Sequence, residues 1–255
     1  MNATSRRQGL KALGMALAFS TLSGRAGAAS LLPAGAGRLA ELTKRLKALP
    51  RRRDFKTVPM ILNSRDQWDA GALDAVLHYA GDPKQSWDST DLAGPWLNGM
   101  RNTINAEVWA FKHPYFLSVA VAHGPAQLAL YDDAMWEKYG LAKIAGGNIA
   151  GNRFVAAPPA ADGDPKDYEN PKGPFSAAAN SIETLQRRGA VFMACHNAVW
   201  ELTERLIGAG TNPDKLSAEA LCAELTNRLI PGVIVTPGAV PTLVELAKAG
   251  FAYTR

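Results

Sequence analysis

The chain has 255 residues, 47% of them hydrophobic and 20% charged, an ordinary globular composition long enough to bury one large core or two small ones. Its formal charge of +5, from 28 Lys and Arg against 23 Asp and Glu, raises the question of a nucleic-acid partner. Arg6, Arg7, Lys11 and Arg25 supply four of those charges within 28 acid-free residues; the remaining 24 basic and 23 acidic residues leave +1, which excludes an electrostatic case for DNA or RNA.

Residues 1–28 read as an export signal. Ser5-Arg6-Arg7-Gln8-Gly9-Leu10-Lys11 resembles a twin-arginine motif, with Gly9 where a large apolar residue is usual. An apolar run from Ala12 to Leu22 follows, then Ala26-Gly27-Ala28 as a small-residue cleavage site. A periplasmic location and export in the folded state are the expectation; a frayed amphipathic helix is the alternative. No other apolar stretch is long enough to span a bilayer, so no transmembrane segment is expected in the mature chain.

Residues 29–54 form a second region. Gly35 to Pro50 is predicted as a basic amphipathic helix with Leu39, Leu42, Leu46 and Leu49 on one stripe, followed by Arg51-Arg52-Arg53. The third region, 55–255, alternates strand-like and helix-like segments. A first strand is predicted over Lys56 to Asn63, with Pro59 suggesting an edge. Helices follow at Asp69–Ala80 and Leu92–Ala110, separated by Gly81-Asp82-Pro83 and a polar turn. Tyr115–His123 reads as a second strand and Pro125–Tyr139 as a helix. Residues 140–174 break the pattern and read as an irregular insertion, either a cover for the site or a surface loop. Then come helix Ser176–Arg188, strand Ala190–Ala194, helices Asn197–Leu206 and Ser217–Leu229, strand Gly232–Thr236, helix Pro241–Ala249 and strand Phe251–Thr254. Short apolar strands alternating with helices predict a doubly wound α/β domain: a parallel sheet of about five strands with helices on both faces.

Two cysteines, Cys195 and Cys222, do not make a disulfide framework. Cys222 lies in a helical pattern and reads as a small core residue. Cys195 ends one predicted strand and precedes a helix, where unpaired N–H groups and the positive helix end favour a thiolate. The carboxyl edge of an open α/β sheet is also where ligands bind.

The second half resembles the DsrE/DsrF-like sulfur-relay family. The resemblance rests on Asn170-Pro171, the run Ser181 to Cys195, Pro231 to Gly238 with Leu246 to Tyr253, and Phe116 to Gly124. It spans most of the chain from Phe55 onward. It implies a flavodoxin-like fold, a homo-oligomer, and a persulfide on Cys195 received from a small sulfur-containing donor or a partner-protein thiol. His196 stands where the family often has Gly, and characterised relay members are cytoplasmic.

The candidate site residues are Cys195 with His196 and His123 as chemical groups, and Asn197, Thr236 and Gly238 as ligand-binding ones. Asn98, Arg101, Asn102 and Asn105 share a helix and could orient an anionic ligand, although polar side chains simply facing solvent are the plainer reading. No phosphate loop or nucleotide fingerprint appears, and no cofactor is expected. Two alternatives stay open. Cys195, His196, His123 and Met193 include soft donors suited to Cu(I) or Zn in a periplasmic binding module, although no CxxC, HxxxH or CxxCH spacing is present. The chain is otherwise a non-catalytic oligomeric partner in a sulfur or redox system.

Overall fold

A computed structural model describes residues 29–255; the predicted export signal at 1–28 lies outside them. Five strands form one parallel sheet: Lys84–Ser89 (β1), Leu117–Ala122 (β2), Val191–Cys195 (β3), Ile234–Thr236 (β4) and Ala252–Thr254 (β5), in the order β4-β3-β2-β1-β5. The helices are Gly37–Ala48 (α1), Ala70–Leu77 (α2), Trp96–Asn105 (α3), Asp133–Lys138 (α4), Leu141–Ala145 (α5), Ile182–Arg187 (α6), His196–Gly208 (α7), Ala218–Asn227 (α8) and Ala239–Lys248 (α9).

Every residue of β2 and β3 is buried, as expected of central parallel strands covered on both faces. Period-two alternation divides their side chains between two cores. Leu117, Val119, Val121, Val191, Met193, Cys195 and Ile234 meet α1, α2 and α9 on one face. Ala120, Ala122, Phe192, Ala194 and Val235 meet α3, α7 and α8 on the other. Each fully buried Val or Leu in these layers contributes about 1.5–3 kcal/mol. The doubly wound, flavodoxin-like α/β architecture expected from the sequence is thus present, with no described helix long and apolar enough to cross a membrane.

The N-terminal helix belongs to the core: Leu39 and Leu42 of α1 are buried in the α2/α9 layer. Its contact with Gly189 is close. Gly189, just before β3, has φ +88°, and a Cβ there would meet Leu39 Cδ2 at 2.7 Å and Leu32 Cδ2 at 3.0 Å. Gly189→Ala therefore combines left-handed backbone strain with a collision, and should lower unfolding free energy by about 2–3 kcal/mol in urea titration. A loss below about 0.5 kcal/mol would mean that α1 yields freely.

Two predicted elements are corrected. Residues 56–63 form no strand. Their apolar character is not buried as a set: Val58 is 1% exposed, but Met60 is 51% and Ile61 70% exposed. The segment instead straps the sheet's carboxyl edge, donating from Val58 N to Glu219 O at 3.0 Å and accepting at Met60 O from His196 Nε2 at 3.0 Å. The strand missing from the sequence reading is β1, in the polar run KQSWDS. It pairs with β2 over six residues and with three-residue β5, and its flank beside this short, exposed strand tolerates polar side chains. The predicted helix Pro125–Tyr139 is also interrupted. Residues 124–130 form a tight 3₁₀ turn, Tyr131 bridges to Leu229, and Asp132 caps α4 by accepting from Met135 N at 2.9 Å.

The irregular stretch 140–174 is tied down by polar contacts. Asn152 Nδ2 donates to Ala129 O and Tyr131 O, and Phe154 O and Val155 O accept the Ile182 and Glu183 N–H groups at the start of α6.

Candidate functional site

The connections leaving β3 and β4 turn to opposite faces of the sheet. After β3 the chain enters α7, largely against the α3/α8 layer; after β4 it enters α9, against the α1/α2 layer. Cys195 sits where these paths diverge, paired in register with Thr236. Its Sγ accepts the Ala198 N–H at 3.4 Å, as the cap of α7, and the Ala239 N–H at 3.2 Å, from the first turn of α9. Two helix starts thus aim positive ends at one sulfur. The Cys195 N–H donates to Gln127 Oε1 at 2.8 Å, fixing the thiol between them.

Those donors do not make Cys195 an ionised, open thiol. The residue is 4% exposed. Burial pushes its thiol above the ordinary value, outweighing the N–H groups of Ala198, Ala239 and Asn197, and the Glu201 charge adds to the rise. The start of α7 supplies donors as the sequence led us to expect, but desolvation is the larger effect and outweighs them.

Of the predicted neighbours, Asn197, Thr236 and Gly238 gather with Cys195. Asn197 is exposed at the mouth, and its amide lies where a Gly238 Cβ would meet Nδ2 at 3.0 Å. Thr236 is fully buried and spends its hydroxyl on Ala194 O at 3.2 Å. His196 does not join them. Its ring is 1% exposed and held to Met60 O, and burial lowers its pKa, so it stays a neutral anchor for the strap.

His123 belongs to another cluster at the same edge. Its Nε2 lies 2.7 Å from Asp88 Oδ1, while Tyr253 Oη donates to Asp88 Oδ2 at 2.7 Å. Burial works against the Asp88 anion, but the Tyr253 and His123 hydrogen bonds and the Arg255 charge outweigh it and hold the carboxyl below its ordinary range. An ionised carboxylate only accepts, so His123 Nε2 is the donor in this contact. Asp88 was missed because its strand was read as a polar turn. The Ala239 N–H was missed because a backbone donor leaves no side-chain signal.

The soft-donor set suggested for Cu(I) or Zn does not converge: His196 faces Met60 and His123 faces Asp88. Among the described residues, no three His, Cys, Asp or Glu side chains gather as a metal site. Cys222 lies in the opposite core layer from Cys195, unbonded to it, and burial pushes its thiol up to about 12. Asn105 and Arg101 of α3 are occupied with Phe175 O.

No family model, curated protein or solved structure matches the chain.

Proposed function

We propose that the protein is an exported, DsrE-like sulfur carrier in which Cys195 bears a persulfide. The observation that carries this reading is the convergence of the Ala198 and Ala239 N–H groups on one Sγ. Donors from two helix starts favour an anion at this position in preference to a neutral thiol alone. The reaction is a displacement at sulfur. The Cys195 thiol first gives its proton to solvent. The thiolate then attacks the sulfane sulfur of thiosulfate, a new S–S bond forms, and the old S–S bond breaks with its electron pair leaving on sulfite. A protein persulfide donor supplies the same sulfur and leaves as a thiolate.

Because Cys195 is 4% exposed, donor entry requires opening between the starts of α7 and α9, where Asn197 lies over Gly238. Burial then shields the loaded sulfur from water and stray thiols. Incubation with thiosulfate or an organic persulfide, followed by intact-mass measurement, should show one added sulfur removable by reductant. Cys222→Ser should load and Cys195→Ser should not. No adduct on a protein whose Cys195 is reduced and alkylates after unfolding overturns the carrier reading and leaves the non-catalytic partner.

A further inference from the structure

A cleft of about 270 Å³ opens at the amino edge of the sheet, at the end of β3 opposite Cys195. It arises from a mismatch in strand length. β3 begins at Val191, but β4 joins it only from Ile234, opposite Met193. Pro231 and Gly232 therefore leave a notch beside the start of β3. α1 lines this notch with Thr43, Leu46 and Lys47, which share one helix face at i, i+3 and i+4. Arg51, from the segment after α1, forms a further wall.

The lining carries two cations, Lys47 and Arg51, and no carboxylate. Neither forms a salt bridge among the described residues. Lys47 is exposed, while Arg51 is half-buried and spends Nη1 on Leu49 O at 3.2 Å. Burial lowers the Arg51 pKa, so its surroundings do not replace all the water the guanidinium has lost. Asp69 and Arg53 act on Arg51 in opposite senses. Both Asp69 oxygens are already spent, on Arg53 and on Val235 N. That buried pair is thus no counterion for Arg51, and the cleft has an excess of positive charge.

The other polar walls are satisfied within the protein: Thr43 Oγ1 donates to Leu39 O at 2.8 Å, and Gln186 Nε2 to Pro231 O at 3.0 Å. What remains is apolar, from Leu46, Ala190, Val191 and Pro231. Two cations beside an apolar surface fit a ligand that is negative at one end and hydrocarbon at the other. A volume just below the roughly 300–1,000 Å³ of ordinary ligand sites keeps it small. We propose that this cleft binds a small organic carboxylate, its charged end between Arg51 and Lys47 and its apolar body on Leu46, Val191 and Pro231. It is a site separate from Cys195.

The test uses full-length, ¹⁵N-labelled protein with hexanoate, its neutral counterpart hexanamide, and acetate as probes. Hexanoate should saturably shift the backbone amide signals of Gly189, Val191 and Gly232, and hexanamide should bind about tenfold more weakly. Each methylene added between acetate and hexanoate should tighten binding by up to about fourfold. Arg51→Gln should weaken hexanoate at least about tenfold. Lys47→Gln, an exposed change that spares the fold, should weaken it about two- to fivefold, and Cys195→Ser should leave it unchanged. Equal affinity for acid and amide, no gain over acetate, shifts confined to other amides, no saturable shift, full affinity in Lys47→Gln, or loss of binding in Cys195→Ser would each overturn the proposal. Because Cys195→Ser keeps the cleft while removing the sulfur carrier, the two readings fail independently.

Discussion

Replacing Asp69 with alanine is expected to lower unfolding free energy by about 3–5 kcal/mol, the range for removing one partner of a buried ion pair. The Asp69 side chain is 2% exposed and faces Arg53, itself 19% exposed, at 2.8 Å. The pair is two-pronged, with Arg53 Nη1 reaching Oδ1 at 3.2 Å. The same carboxylate accepts the Val235 N–H at 2.7 Å, and the Asp69 N–H donates to Val235 O at 3.1 Å. One residue thus joins α2, the basic segment after α1 and edge strand β4. Alanine strands a buried N–H and removes the carboxylate from a largely sheltered guanidinium, leaving Arg53 with the Val233 and Arg52 carbonyls at 3.0 and 2.6 Å. In a protein of this size the midpoint should fall by about 6–20 °C. Asp69→Asn keeps one acceptor and should cost less. A loss under about 1 kcal/mol in Asp69→Ala would show that Arg53 and Val235 find water or new partners.

The consequence reaches the sulfur. β4 leads through Thr236 and Gly238 into Ala239, whose N–H bonds Cys195. Loosening β4 frees one side of the cradle, so alkylation of Cys195 should be faster in Asp69→Ala than in the parent. Fold stability and site chemistry are coupled through a single strand of three residues.

The ease with which each part could be read follows from the same physics. The β3–α7 junction is plain in sequence because a short apolar run gives way to helical periodicity at one residue, Cys195. β1 is hidden because a strand beside a short, exposed neighbour needs little apolar surface, and Lys84, Gln85 and Asp88 look like a turn. Residues 56–63 deceive in the opposite sense: apolar letters imply burial, but Pro59 and the missing strand partner leave Met60 and Ile61 in solvent. At the site, local signals place the thiol, Asn197 and Gly238 together. They cannot reveal a contact from Ala239, forty-four residues away, nor the burial that follows from it. His196 is adjacent to Cys195 in sequence but turned to Met60, since strand-to-helix passage sends neighbouring side chains in different directions.

The largest kinetic effect should appear at that thiol. Only thiolate reacts with iodoacetamide, and raising a pKa moves the thiolate fraction to higher pH. With burial lifting the Cys195 thiol above its ordinary value and leaving the residue 4% exposed, native protein at neutral pH should alkylate more slowly than the urea-unfolded chain, in which an unperturbed thiol has pKa about 8.5. The native rate should climb about tenfold per pH unit and continue past pH 9, where an unperturbed thiol levels off. Measurement in Cys222→Ser removes the second thiol. The two helix starts set the opposing limit: if their N–H groups outweighed desolvation, the rate would plateau below pH 8, and the balance assigned to this sulfur would be inverted. A slow rate independent of pH would instead mean that opening between α7 and α9, rather than ionisation, limits access. Persulfide loading would then follow that same opening rate whichever donor was used, because donor and alkylating reagent reach the sulfur through one mouth.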